Sequence, residues 1–145
     1  MEMRKLVLVL VLGLSLFAND IVVKSSSKTV EATMDKLQNV LTKKGFTIFA
    51  VVNHQLGADK VRMKMPASEE IIFGNPKMGT QLMLENMQVG LDLPIRVLVY
   101  EDTDKSTKIA YRNGTWLANE HNLTKIKLIN KMNFVLDNIT TEVGR

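Results

Sequence analysis

Residues 71–102 read IIFGNPKMGTQLMLENMQVGLDLPIRVLVYED, and this stretch decides how the chain is organised. Two β-rich apolar runs, Ile71 to Phe73 and Ile95 to Glu101, enclose a turn-rich centre. Gly74-Asn75-Pro76 closes the first run, and Leu91-Asp92-Leu93-Pro94 opens the second. Glycine relaxes a turn and proline fixes it, so both segments punctuate rather than continue an element. Between them, Met78 to Met87 has helical spacing, with Leu82, Met83 and Met87 expected to face inward and Gly90 to end the helix. Ile95 to Glu101, the turn Asp102-Thr103-Asp104-Lys105 and Thr107 to Tyr111 form the clearest hairpin in the chain.

Working outward, Asp20 to Ser25 is expected to be a strand. Thr29 is a candidate N-cap for a helix carrying Val30, Met34, Leu37 and Leu41 on one face, with Glu31 suited to its positive end and Gly45 to its stop. Phe46 to Val52 is β-branched and aromatic, hence a strand. His54 to Val61 reads as a short helix, Arg62 to Met65 as extended, and Glu69 to Phe73 as a strand. A short helix is expected over Gly114 to Glu120. A long one over Thr124 to Val143 carries a stripe of Ile126, Ile129, Met132, Leu136, Ile139 and Val143. Strands interleaved with helices in this order suit a single α+β domain, a curved antiparallel sheet covered by helices.

The N-terminus has a different character. Arg4 and Lys5 precede the apolar run Leu6 to Leu16, and Ala18 leads into Asn19-Asp20. This describes a secretory signal peptide over residues 1–18 with cleavage after Ala18, leaving residues 19–145 as the mature domain. The run is short of the roughly 20 residues a spanning helix needs. The alternative is a retained anchor. Periplasmic or secreted localisation follows, with no stable membrane insertion after cleavage. Removing Glu2, Arg4 and Lys5 from 19 basic and 15 acidic residues leaves a net charge of +3. That charge is mild and its lysines are dispersed, which argues against nucleic acid as a partner. There is no cysteine, so disulfides, thiolate metal sites and thiolate catalysis are excluded.

The PheGlyAsnPro and LeuAspLeuPro segments at this separation resemble family 302 of the domains of unknown function. The similarity runs from about Val30 to His121 and takes in Asn53-His54, Ala58, Glu101-Asp102, Tyr111 and Leu117. It implies a sheet of the TATA-binding-protein-like group, a likeness of shape that carries no DNA function. It also implies a homodimer. The sequence departs from the family pattern at Arg112-Asn113-Gly114-Thr115 and at Asn119-Glu120, where a basic residue is common.

Few residues could carry chemistry. Gly74-Asn75-Pro76-Lys77-Met78-Gly79-Thr80 lacks the lysine after the second glycine that a Walker loop requires. A milder anion site remains open at the helix start, beside Lys77. His54 and His121 are the only histidines, 67 residues apart. Brought together with Glu101 or Asp102, they would suit Zn or Cu. Glu101 and Asp102 are adjacent, so only one can join such a site. Met63 and Met65 are soft enough for Cu(I), although packing is the simpler role. Tyr100, Tyr111 and Trp116 are candidate pocket or core rings. Asn113, Asn122 and Asn138 each begin a glycosylation pattern.

The expected function is a non-enzymatic, exported ligand-binding or protein-interaction module with no cofactor and, as partners, a second copy or a periplasmic protein. Its candidate binding residues are His54, Gly74, Asn75, Pro76, Glu101, Asp102, Tyr111 and His121. Two alternatives stand beside it. One is a metal- or haem-associated redox accessory protein using His54 and His121. The other is a small hydrolase or isomerase with a histidine base.

Overall fold

The computed structural model describes residues 21–145; the expected leader lies outside the described residues. Strands β1 (Ile21–Ser26), β2 (Thr47–Asn53), β3 (Ser68–Gly74), β4 (Ile95–Glu101) and β5 (Thr107–Arg112) form one open antiparallel sheet in the order β1-β5-β4-β3-β2. The helices are α1 (Val30–Lys43), α2 (His54–Lys60), α3 (Pro76–Met83), α4 (Gly114–His121) and α5 (Ile126–Gly144), with a 3-10 turn at Met87–Leu91. The α+β architecture and its single domain agree with the sequence.

Alternation along the strands decides which face is covered. Ile71, Phe73, Val97, Val99, Ile109 and Tyr111 point to one side and are buried. Against them pack Met34, Leu37 and Leu41 of α1 and Met132, Leu136 and Ile139 of α5. Thr29 caps α1 by accepting the Ala32 N–H at 3.2 Å, and Gly45 leaves the helix at φ +77°. β1 is tied to α5 by Lys24, whose Nζ donates to Asp137 Oδ1 at 2.6 Å and Thr141 Oγ1 at 2.7 Å. The opposite face carries the cross-strand row Val23, Ala110, Leu98, Glu70 and Val52. Val23 and Val52 are exposed there.

Four expectations need correction. The helix after Asn75 stops at Met83, and Gly90 lies within the separate 3-10 turn. Met87 begins that turn and is exposed rather than inward-facing. Ile126 is also exposed, because it is the first residue of α5 and lies beyond the packed part of the stripe. Met63 and Met65 are exposed as well, since no described element lies over them. Periodicity identifies a face, but only a partner buries it.

Candidate functional site

The two turn motifs meet in space. A Cβ placed on Gly74 would lie 3.6 Å from Pro94 Cβ and 3.7 Å from Phe49 Cε2, so the end of β3 rests on the entry to β4 in van der Waals contact. Asn75 sets the direction of α3: its Oδ1 accepts from the N–H groups of Lys77 at 3.0 Å and Met78 at 3.4 Å. Pro76 starts the helix, where its missing N–H costs nothing. These amides are thus engaged by the chain itself, which removes the basis for an anion site at this helix start. Between α3 and the sheet lies a cavity of about 400 Å³ lined by Gly74, Asn75, Pro76, Leu93, Pro94 and apolar side chains. Phe46, Phe49, Met78 and Met83 form its walls. Phe46 is held edge-on against Phe73, with ring centroids 5.6 Å apart.

A second cavity, of about 430 Å³, shares Leu93, Ile95 and Met132 with the first. Its character is mixed. The Arg112 guanidinium lies 4.6 Å over the Trp116 ring, a cation–π contact. Arg96 pairs with Glu70 at 3.8 Å. Asp92 lines the cavity and its carboxylate accepts from His121: Oδ2 lies 2.7 Å from Nε2. The Asn113 side chain caps α4 by accepting the Trp116 N–H at 2.9 Å, which fixes the ring's approach.

Residues 21–139 match the family model described as Domain of unknown function DUF302. The chain belongs to that family. A crystal structure of an uncharacterized conserved DUF302 protein from Bacillus stearothermophilus has the same fold, with a TM-score of 0.71 and 18% identity over 88% of this chain and 97% of that one. Among curated proteins, the fluoride-specific ion channel FluC 1 of Brucella suis is 35% identical over 109 residues, 75% of this chain and 43% of the channel protein. FluC 2 of Brucella melitensis matches equally well over 40% of its length. The chain therefore spans less than half the length of these relatives. Among its described residues, no helix is long and apolar enough to cross a membrane.

In this DUF302 domain the eight expected binding residues divide between the two ends of the sheet. Gly74, Asn75 and Pro76 line the apolar cavity, and Tyr111 lines the mixed one. His121 stands behind the mixed cavity through Asp92. Tyr111 is chiefly a core residue, and the Thr140 hydroxyl donates to its phenolic oxygen at 3.5 Å. His54 starts α2 directly after Asn53, which pairs with Glu69 at the far end of the strands. Glu101 and Asp102 lie toward that far end too. Glu101 pairs with Lys105 at 3.1 Å, and Asp102 Oδ1 accepts the Thr103 N–H at 2.8 Å. A strand of seven residues separates the ends by about 20 Å. One chain cannot bring its two histidines to a common metal.

The far end holds a polar cleft of about 600 Å³ lined by Glu31, Asn53, Glu69, Glu101 and Lys105 among others. Burial holds the Glu69 carboxyl above the usual glutamate range, and the charges of Glu31 and Asp35 push the same way. Sequence reasoning passed over Phe46, Phe49, Arg96, Arg112 and Asp92. Asp92 sat within a quoted motif and could have been picked out as the one charged residue in LeuAspLeuPro. The phenylalanines come from a strand whose register with Gly74 only the fold reveals.

Proposed function

We propose that this DUF302 domain is a binding module, and that the apolar cavity closed by Gly74–Pro76 and Leu93–Pro94 receives an apolar small molecule or an apolar side chain of a protein partner. One observation carries this reading: two turn motifs from different elements converge on one apolar cavity. Its volume falls in the range of small-molecule sites, about 300–1,000 Å³. Arg96 and Arg112 line the mixed cavity, which shares Leu93, Ile95 and Met132 with the apolar one, and offer polar anchors there. A histidine-base enzyme is less well supported. His121 commits Nε2 to Asp92 and its side chain is only 8% exposed, whereas His54 lines none of the three cavities described.

The same proposal has the domain exported and paired. A leader-like N-terminal sequence supports export, and the uncovered sheet face with Val23 and Val52 supports pairing. For the relatives named as fluoride channels, we infer that the matched part is an appended binding domain, since it covers less than half of their length and no described helix here is long and apolar enough to cross a membrane.

Titration with Nile red tests the cavity. The chain from Asn19 is expected to bind the dye saturably, and Gly79→Leu, which fills the cavity, is expected to weaken binding about tenfold or more. Native mass spectrometry of the same protein reports subunit number and any retained apolar adduct. Non-saturable dye binding, or equal binding by the filled variant, overturns the reading.

A further inference from the structure

The segment Lys60-Val61-Arg62-Met63-Lys64-Met65, which begins at the last residue of α2, alternates cations with apolar residues, and all six are exposed. Val61 and Met63 are each 65% exposed. Leu56 of α2 is exposed too, and α2 buries none of its residues. Packing among the described residues therefore gives no reason for large apolar side chains here. The segment is nonetheless shaped. Arg62 holds φ at +60°, its N–H donates to Asp59 O at 3.0 Å, and the Met63 N–H donates to Ala58 O at 3.0 Å. The Gln55 side chain steadies its end by donating to Met65 O at 3.4 Å.

We propose that this segment, with Leu56, docks the domain on an anionic phospholipid surface. Apolar tips that enter the headgroup boundary while neighbouring cations meet lipid phosphates are the requirements for peripheral attachment. Three cations within six residues, against the single nearby Asp59, give the charge that such a surface selects. The same charge argues against a second copy on this patch, because a two-fold contact would set like cations against each other. Attachment is peripheral and needs no inserted helix.

All the described elements lie within Ile21–Gly144, so a chain beginning at Asn19 retains them and removes the apolar leader as a competing anchor. It is tested by co-sedimentation with vesicles of phosphatidylcholine alone and of phosphatidylcholine mixed with phosphatidylglycerol. Binding is expected only to the mixed vesicles and is expected to weaken as salt rises. Each cation near the surface contributes about fivefold, so Lys60→Glu with Lys64→Glu is expected to weaken binding more than tenfold. Val61→Ser with Met63→Ser tests the apolar part and should also reduce binding. Arg62→Gly removes a charge at a φ that glycine adopts freely and should cost about fivefold. Circular dichroism confirms that each variant is folded. Equal binding to both vesicle types, wild-type binding by the variants, or no binding at all overturns the proposal. So does concentration-dependent self-association abolished by Val61→Ser with Met63→Ser, which would assign the patch to a second copy instead.

Discussion

His121 Nε2 and Asp92 Oδ2 lie 2.7 Å apart, joining the last residue of α4 to the segment that leads into β4. The Asn86 side chain adds a second tie by donating to His121 O at 3.0 Å. Both borders of the mixed cavity, the Leu91–Pro94 turn and α4, are thereby held to one another.

Breaking that tie should weaken the fold. His121→Ala is expected to destabilise by about 1–3 kcal/mol, since it leaves Asp92 without its partner and opens space beside Leu117. Asp92→Asn is expected to cost less, because the amide can still bond the ring. Urea unfolding measures both. The single tryptophan, Trp116, lines the same cavity and reports any loosening through its fluorescence.

Gly79→Ala separates stability from binding. Its Cβ would sit 3.8 Å from Leu93 Cδ1, an ordinary contact. Replacing glycine inside a helix should stabilise the fold by about 0.5–1 kcal/mol. The added methyl also narrows the apolar cavity, so Nile red affinity should fall while the melting temperature rises.

Gly144→Ala should do the opposite. A Cβ there would meet Ser25 O at 2.6 Å, and that oxygen belongs to the β1 backbone rather than to a flexible side chain. The Ser27 N–H donates to Gly144 O at 3.0 Å at the same junction. We expect a loss of about 1–3 kcal/mol by denaturant unfolding as α5 and β1 are pushed apart.

Glu69 gives a pH dependence with a definite sign. Its carboxyl binds a proton more tightly in the folded chain than in the unfolded one, because burial and the nearby Glu31 and Asp35 penalise the charged form. This contribution to stability is present at low pH and is lost as pH rises from the usual carboxylate range through the raised folded value. Glu69→Gln keeps an acceptor for the Asn53 side chain, which donates to Glu69 Oε1 at 3.2 Å. It should raise the melting temperature at neutral pH and leave it nearly unchanged in acid. Thermal melts across that range check both arms.

Much of the fold was legible because local signals agreed. Thr29 and Gly45 bracket α1, and the Asp102–Lys105 turn joins strands whose limits were read to within a residue. The errors fall where burial depends on a distant partner. Met63 and Met65 have a strand-like pattern yet are exposed among the described residues, and Met87 has helical spacing after the helix has ended. The candidate site was half legible for the same reason. The Gly74–Pro76 turn could be read as rigid, but its walls come from Phe46, Phe49 and Met132, which periodicity marks only as apolar. The histidines invited pairing because they are the only two, yet strand direction sends them to opposite ends.

Lys24 reaches Asp137 and Thr141, and among the described strands β1 pairs only with β5. During synthesis this first described strand therefore waits until Thr107–Arg112 has been made before it can dock, since no described strand nearer in sequence pairs with it. Such long-range closure is slow relative to the local β4–β5 hairpin. Until α5 is complete, Lys24 lacks the partners it has there and the core lacks Met132, Leu136 and Ile139. A chain cut short before Thr107 would therefore leave its first strand without a ladder partner, however well the rest of the sheet formed.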